Sequence, residues 1–227
     1  MASIVEQLQS DCLDPNVRSV DLLRKVKLVA TKLQLADTLE WVELEQAGYN
    51  TKEEIPRYRI VRGVARWWNP MLGWRPVVFE DDSVSSRACI QTIGNPLSQI
   101  EEMAHKSTED GALTMQTPEW LMKAASVNIE ELVDVRIFVD RSEMQRIVQA
   151  VRDRILDWAL ELERQGIMGD GLTFSREEAA KAKTSQIVYN IGSIGSLGVV
   201  GDEPVPIFRT CDYTAIGSCD SYRSGLR

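Results

Sequence analysis

Seven apolar residues, Met144, Ile147, Val148, Val151, Ile155, Trp158 and Leu162, recur at helical spacing between Ser142 and Gln165. At 3.6 residues per turn they fall on one face, so the segment predicts a long amphipathic helix with a continuous apolar stripe. Ser142-x-x-Gln145 has capping-box spacing at its start, and Gly166 stands where a C-terminal cap belongs. Such a stripe must be covered, and the rest of the chain has to supply the other side of a core.

The N-terminal segment offers partners. Residues 3–12 predict a short helix with Ile4, Val5 and Leu8 on one side. Ser19 is a plausible cap for a second helix, Val20–Leu35, whose inner face carries Leu22, Val26, Val29 and Leu33. Asp37-Thr-Leu-Glu40 is a capping-box pattern opening a third helix, with Leu39, Trp41 and Val42 facing inward and Gly48 stopping it.

After Pro56 the period changes from helical to alternating. Arg57–Trp67 interleaves basic and apolar residues as a half-buried strand does, Asn69-Pro70-Met71-Leu72-Gly73 is turn chemistry, and Trp74–Phe79 predicts the second arm of a hairpin closed by Asp81 and Asp82. A weaker strand is expected over Ala88–Ile93. Asn95-Pro96 opens a helix to about Ala104, Lys106–Gln116 reads as a polar loop, Pro118 starts a short helix to Ala125, and Val133–Val139 alternates as a strand. Ser175-Arg-Glu-Glu178 caps one more short helix. The expected fold class is α+β: an N-terminal helical bundle, a small antiparallel sheet and a long C-terminal helix.

From residue 181 the composition shifts. The body, 1–180, carries 21 basic and 30 acidic residues, whereas the tail, 181–227, carries 5 and 4. The tail is glycine-rich and β-prone, with glycine at 192, 195, 198 and 201. Ile191, Ile194, Leu197 and Val200 share one phase, so a coil turning every three residues would show them as an apolar stripe. A flexible linker and an oligomerisation segment both fit this pattern; edges of low charge invite self-association. The expected organisation is a folded domain followed by that tail, with a homo-oligomer as the expected assembly.

Composition excludes several classes. With 21 basic against 30 acidic residues, a net −9, the body repels nucleic acid over most of its surface, although local basic patches could override that. The apolar runs are short, as in Ile137-Phe138-Val139, far below the roughly 20 residues of a membrane-spanning helix. The N-terminus lacks the basic and hydrophobic regions of a signal peptide, so a cytoplasmic protein without membrane association is expected. Of the four cysteines, Cys211 and Cys219 lie close enough to pair, but free thiols are the expectation in a reducing compartment. The single His105 completes no Cys/His zinc set, and no metal or other cofactor is expected.

No phosphate-binding loop, nucleophile elbow or zinc-protease motif is present. His105 next to Lys106 at a helix end more often complements the helix dipole than performs acid–base work. Arg154, Asp157, Glu161 and Arg164 share one helix face at ion-pair spacing, which favours solvated pairs over a catalytic site. The densest cluster is Arg57, Arg59, Arg62, Arg66 and Arg75, interleaved with Tyr58, Trp67, Trp68 and Trp74. Guanidinium groups and aromatic rings in that density could grip phosphates and stack bases. The plainer reading is a hairpin whose tryptophans pack inward while its arginines pair with the body's surplus acids.

Several segments, in order, resemble one known family. Val20–Leu33, Glu40-Trp-Val-Glu-Leu-Glu45 with Gly48-Tyr49, Pro56-Arg-Tyr-Arg59, Trp68-Asn-Pro70 with Gly73-Trp74-x-Pro76, and Val148–Glu163 followed by Gly166-Ile-Met-Gly169 are similar to the AbiTii domain of bacterial abortive-infection proteins. The resemblance spans roughly residues 2–180. It implies a role in phage defence, in which an infected cell halts growth or dies before the phage replicates, and it supplies no catalytic residues. The expected function is a non-enzymatic sensing or assembly module that self-associates, with a protein partner from a defence operon. The alternative is a nucleic-acid-directed toxin or nuclease using the hairpin.

Overall fold

All seven residues of the long stripe are buried, and helices meet them on several sides. The computed structural model describes residues 3–51, 55–79, 82–105, 112–115, 117, 121 and 134–184, all within the unit Met1–Gly195. Its elements are α1 (Ile4–Leu13), α2 (Ser19–Leu33), α3 (Ala36–Ala47), a 3₁₀ turn (Arg57–Arg59), β1 (Ile60–Asn69), β2 (Gly73–Pro76), α4 (Asp82–Cys89), β3 (Ile90–Thr92), α5 (Leu97–His105), β4 (Ala112–Met115), β5 (Val135–Asp140), α6 (Arg141–Arg164) and α7 (Arg176–Thr184). The class is α+β, as expected. Helix α6 runs against α1, α2 and α5, and α2 packs on α3 and α7.

The sheet is antiparallel, in the order β2-β1-β5-β4, with β3 also on β1. Strand β1 is its hub: Ile60–Arg62 pair with β3, Gly63–Trp67 with β5 and Arg66–Asn69 with β2. Its inward residues, Val61, Gly63 and Ala65, are buried; Val61 and Ala65 join Ile137 and Val139 of β5 in the core shared with the helices. Glycine is required at 63, where a Cβ would lie 2.6 Å from Ile137 Cγ2. No helix among the described residues is long and apolar enough to cross a membrane.

The element boundaries differ from expectation where tertiary contacts take over. Ser142 is not the cap of α6. Strand β5 runs straight into the helix, so Asp140 occupies the cap and accepts from the Ser142 N–H at 2.8 Å. Hydrogen bonding from the Ser142 hydroxyl, with this backbone N–H, holds the Asp140 carboxyl below its ordinary range. Ser19 lies inside α2, and Glu101 of α5 takes its N–H at 2.8 Å. Asp37 lies in the first turn of α3, whose cap position, Leu35, offers no side-chain bond. Residues 82–89 form a helix where strand was expected from Ala88, and 112–115 form a strand where loop was expected. Strand β1 begins at Ile60 rather than Arg57, and β2 ends at Pro76. The helix expected from Pro118 lies, apart from Leu121, outside the described residues.

The capping box of α7 forms as expected: Glu178 N–H donates to Ser175 Oγ at 3.1 Å and Ser175 N–H to Glu178 Oε2 at 2.8 Å. Glu178 Oε1 also accepts from Met168 and Gly169 N–H, at 3.0 and 2.9 Å. Partial burial alone would raise the Glu178 pKa, but these backbone donors outweigh it and hold it low. A group depressed on folding stabilises above its unfolded pKa, and that stability is lost as pH falls through the folded value. In an acid titration followed by circular dichroism, Glu178→Gln is therefore expected to be less helical than the parent at neutral pH. The difference should shrink below pH of about 4. Two parallel titration curves would contradict this assignment.

Candidate functional site: the outer face of the sheet

Alternation along β1 turns Ile60, Arg62, Val64, Arg66 and Trp68 to the side away from the helices. Antiparallel register sets each beside a same-face neighbour: Arg62 opposite Ile90, Val64 opposite Phe138, Arg66 opposite Arg136 and Trp68 opposite Trp74. Four strands thus contribute to one surface of aliphatic, aromatic and guanidinium groups. Ile60, Val64, Trp68 and Ile90 are all exposed there, Trp68 at 45%.

The rings and guanidinium groups hold one another in place. Trp74 meets Trp68 edge-to-face with centroids 5.3 Å apart and meets Phe138 at 5.1 Å. Arg66 lies over the Phe138 ring at 4.9 Å, and Arg136 over Trp74 at 5.3 Å. Phe138 is consequently buried although it belongs to the outer face. Edge-to-face pairs and cation–π contacts each contribute about 0.5–1.5 kcal/mol, enough to order side chains that would otherwise swing freely. At the adjoining turn, Asn69 Oδ1 accepts from the N–H groups of Met71 and Leu72 at 2.9 and 3.0 Å, which fixes the loop and leaves Met71 92% exposed.

Of the seven candidate residues, Arg62, Arg66, Trp68 and Trp74 are brought together on this face. Arg75 pairs with Trp67 and takes the opposite side of the sheet, and Arg57 is exposed on the 3₁₀ turn. Arg59 is withdrawn into the core. Ile191, Ile194, Leu197 and Val200 lie outside the described residues. Arg136 and Phe138 belong to the surface but stand in a strand read only for its alternation.

Arg59 joins a buried network with Glu45, both side chains 0% exposed and paired at 2.5 Å. The Glu45 carboxylate also accepts from Arg59 Nε at 3.2 Å, from Tyr49 Oη at 2.7 Å and from Tyr58 Oη. Trp41 Nε1 donates to Tyr58 Oη at 3.0 Å, and Arg59 Nη1 donates to the carbonyls of Ile93 and Asn95. Burial by itself lowers the Arg59 pKa, but the Glu45 charge reverses this and leaves it raised. Burial pushes both tyrosines up, with Glu45 adding to it, so they remain neutral donors. Every group in this cluster is occupied by another, which is the condition of a structural network rather than a reactive one.

Among the described residues the remaining chemistry-bearing groups give no reactive constellation. Burial pushes the Cys12 thiol up to about 11, away from the thiolate. Glu161, half-buried, pairs with the exposed Arg164 at 2.6 Å and is held low by that arginine. Arg154 of the same helix face stacks on Tyr58 at 4.5 Å. Among the described residues no three His, Cys, Asp or Glu side chains come together as a metal site.

One family model, AbiTii, matches residues 3–187. No curated protein and no solved structure matches the chain.

Proposed function

Because this chain belongs to the AbiTii family of abortive-infection proteins, we propose that it serves phage defence as a non-enzymatic recognition module, taking its trigger or partner on the outer face of the sheet. The observation that carries this reading is the ordered patch itself. Trp68, Ile60, Val64 and Ile90 stay exposed around Arg66 and Arg136, whose guanidinium groups are already stacked in place. A patch of that kind is preorganised, so little side-chain freedom is lost when something docks on it. Exposed large apolar side chains gathered on one face of a folded domain mark interaction sites.

Phage challenge of cells carrying single variants tests it. Arg66→Glu and Trp68→Ala are each expected to bring plaque counts to the level of cells without the protein. Melting temperature should move by no more than about 2–4 °C, because both side chains are at the surface. Full protection by both variants would reject the outer face as the working surface.

Self-association through Ile191, Ile194, Leu197 and Val200 completes the proposal and rests on their common phase in the sequence. Light scattering of the full chain should report an oligomer and of a truncation after residue 187 a monomer. A monomer in both cases would remove this part.

A further inference from the structure

We infer that the outer face of the sheet binds single-stranded nucleic acid; this rests on the reading of that face as the recognition surface. The first ground is charge. Residues 55–79 hold five arginines and no acid, in a chain whose net charge is −8. Arg59 is neutralised by Glu45 inside the core, while Arg66 faces outward and Arg136 joins it from β5. The carboxylates at the two ends of β5 are already committed. Asp134 pairs with Arg136 itself at 2.9 Å, in a solvent-exposed bridge that a phosphate would have to displace, and Asp140 caps α6. An acidic molecule with one basic surface steers a polyanion to that surface and repels it elsewhere.

The second ground is the order of the groups. Guanidinium planes and aromatic rings alternate at the centre of the patch, Arg66 on Phe138 and Arg136 on Trp74, rather than forming a charged rim around an apolar middle. A neutral protein surface laid over them would strip water from the arginines and return little. Phosphates spaced along a strand compensate those charges, and unpaired bases offer π faces to Trp68 and to the guanidinium planes. From Ile60 to Trp68 the strand runs about 26 Å, room for several consecutive nucleotides. A duplex hides its base faces in its own stack, so the surface favours single strands.

Fluorescence anisotropy of the full-length protein with labelled single-stranded RNA and DNA oligomers, and with the corresponding duplex, tests this across a salt series. Single strands of one or both kinds should bind more tightly than duplex. With Arg66 and Arg136 at phosphates, the logarithm of the affinity should fall with that of salt at a slope of about −1.4. Trp68→Ala should weaken binding about tenfold and Trp68→Tyr restore most of it. Arg66→Gln should lower the salt slope by about one contact's share, with circular dichroism confirming that each variant is folded. Absence of binding at about 50 mM salt, binding unaffected by both Trp68→Ala and Arg66→Gln, or equal affinity for duplex would each overturn the inference. Loss of phage protection in the face variants without any nucleic-acid binding would mean a protein partner, so that only this inference falls. Nucleic acid bound at the face, with protection intact in the same variants, would overturn the functional reading instead.

Discussion

Glu45→Ala is expected to cost the fold about 3–5 kcal/mol, a large part of the total stability of an ordinary domain. The loss is large because of what remains behind. Arg59 would keep its charge at a site with no exposure, still bonded to the Ile93 and Asn95 carbonyls but without its counter-ion. Tyr49 and Tyr58 would lose the acceptor of their hydroxyl protons at the same stroke. Removing both charges is a different experiment. Glu45→Leu with Arg59→Met deletes the pair together, and apolar replacements of a buried pair are often close to neutral. Recovery here should be incomplete, since two tyrosine hydroxyl protons lose their acceptor and two carbonyls their donor. Urea midpoints for the single and double variants measure this directly. A single-variant cost below about 1 kcal/mol would show that water reaches the network.

Arg152→Met is the second large effect, expected at about 2–4 kcal/mol. Helix α1 has no basic residue in its own last turn. Arg152 of α6 supplies one from across the interface: Nη1 donates to the Val17 carbonyl at 2.6 Å, and Nη2 to those of Cys12 and Asp14 at 2.9 and 2.7 Å and of Asp11 at 3.2 Å. The planar fork thus satisfies carbonyls at the end of α1 and in the loop to α2, and places positive charge at the negative end of the helix dipole. Arg152→Lys keeps the charge but not the fork, so it should recover only part of the loss. Denaturant unfolding gives the totals, and hydrogen exchange should show α1 as the element that opens first. Lysine serving as well as arginine would mean that charge alone matters there.

Both sites show where the sequence was legible. The α6 stripe could be read residue by residue because its period is strictly local, and each of its seven members is buried. Glu45 was hidden by its type, yet its position was in plain view. Thr38, Trp41, Val42 and Glu45 fall at spacings of three and four and are the buried residues of α3. A carboxylate at the next place on an inward face signals a buried partner. The same holds in the hairpin, where parity separates Arg59, which shares the inward phase of Val61 and Ala65, from the outward Arg62 and Arg66. Applied position by position, that alternation would have removed Arg59 from the surface cluster.

What the sequence could not supply was register. Arg136 reaches the outer face only because β5 pairs with β1 in a particular alignment, and nothing local to either strand dictates it. Helix α4 was missed because Asp82-Ser-Val-Ser-Ser-Arg-Ala-Cys89 is rich in residues that compete for backbone hydrogen bonds, and its contacts with β1 and β3 support it instead. Strand β4 was missed because four residues are too few to display a period and it borrows its order from β5.

The position of β1 as hub of the sheet sets a timetable for making the protein. Its hairpin with β2 can close within moments of synthesis, whereas Ile137, the partner of Ala65, follows about 70 residues later, and loop closure over that span is slow. Until β5 arrives, one edge of β1 waits with its backbone groups unpaired beside exposed tryptophans. That interval is when a nascent chain is most open to mispairing with its neighbours. Yield of folded protein should therefore depend more on how fast the stretch between β1 and β5 is translated and shielded than on the final stability of the sheet.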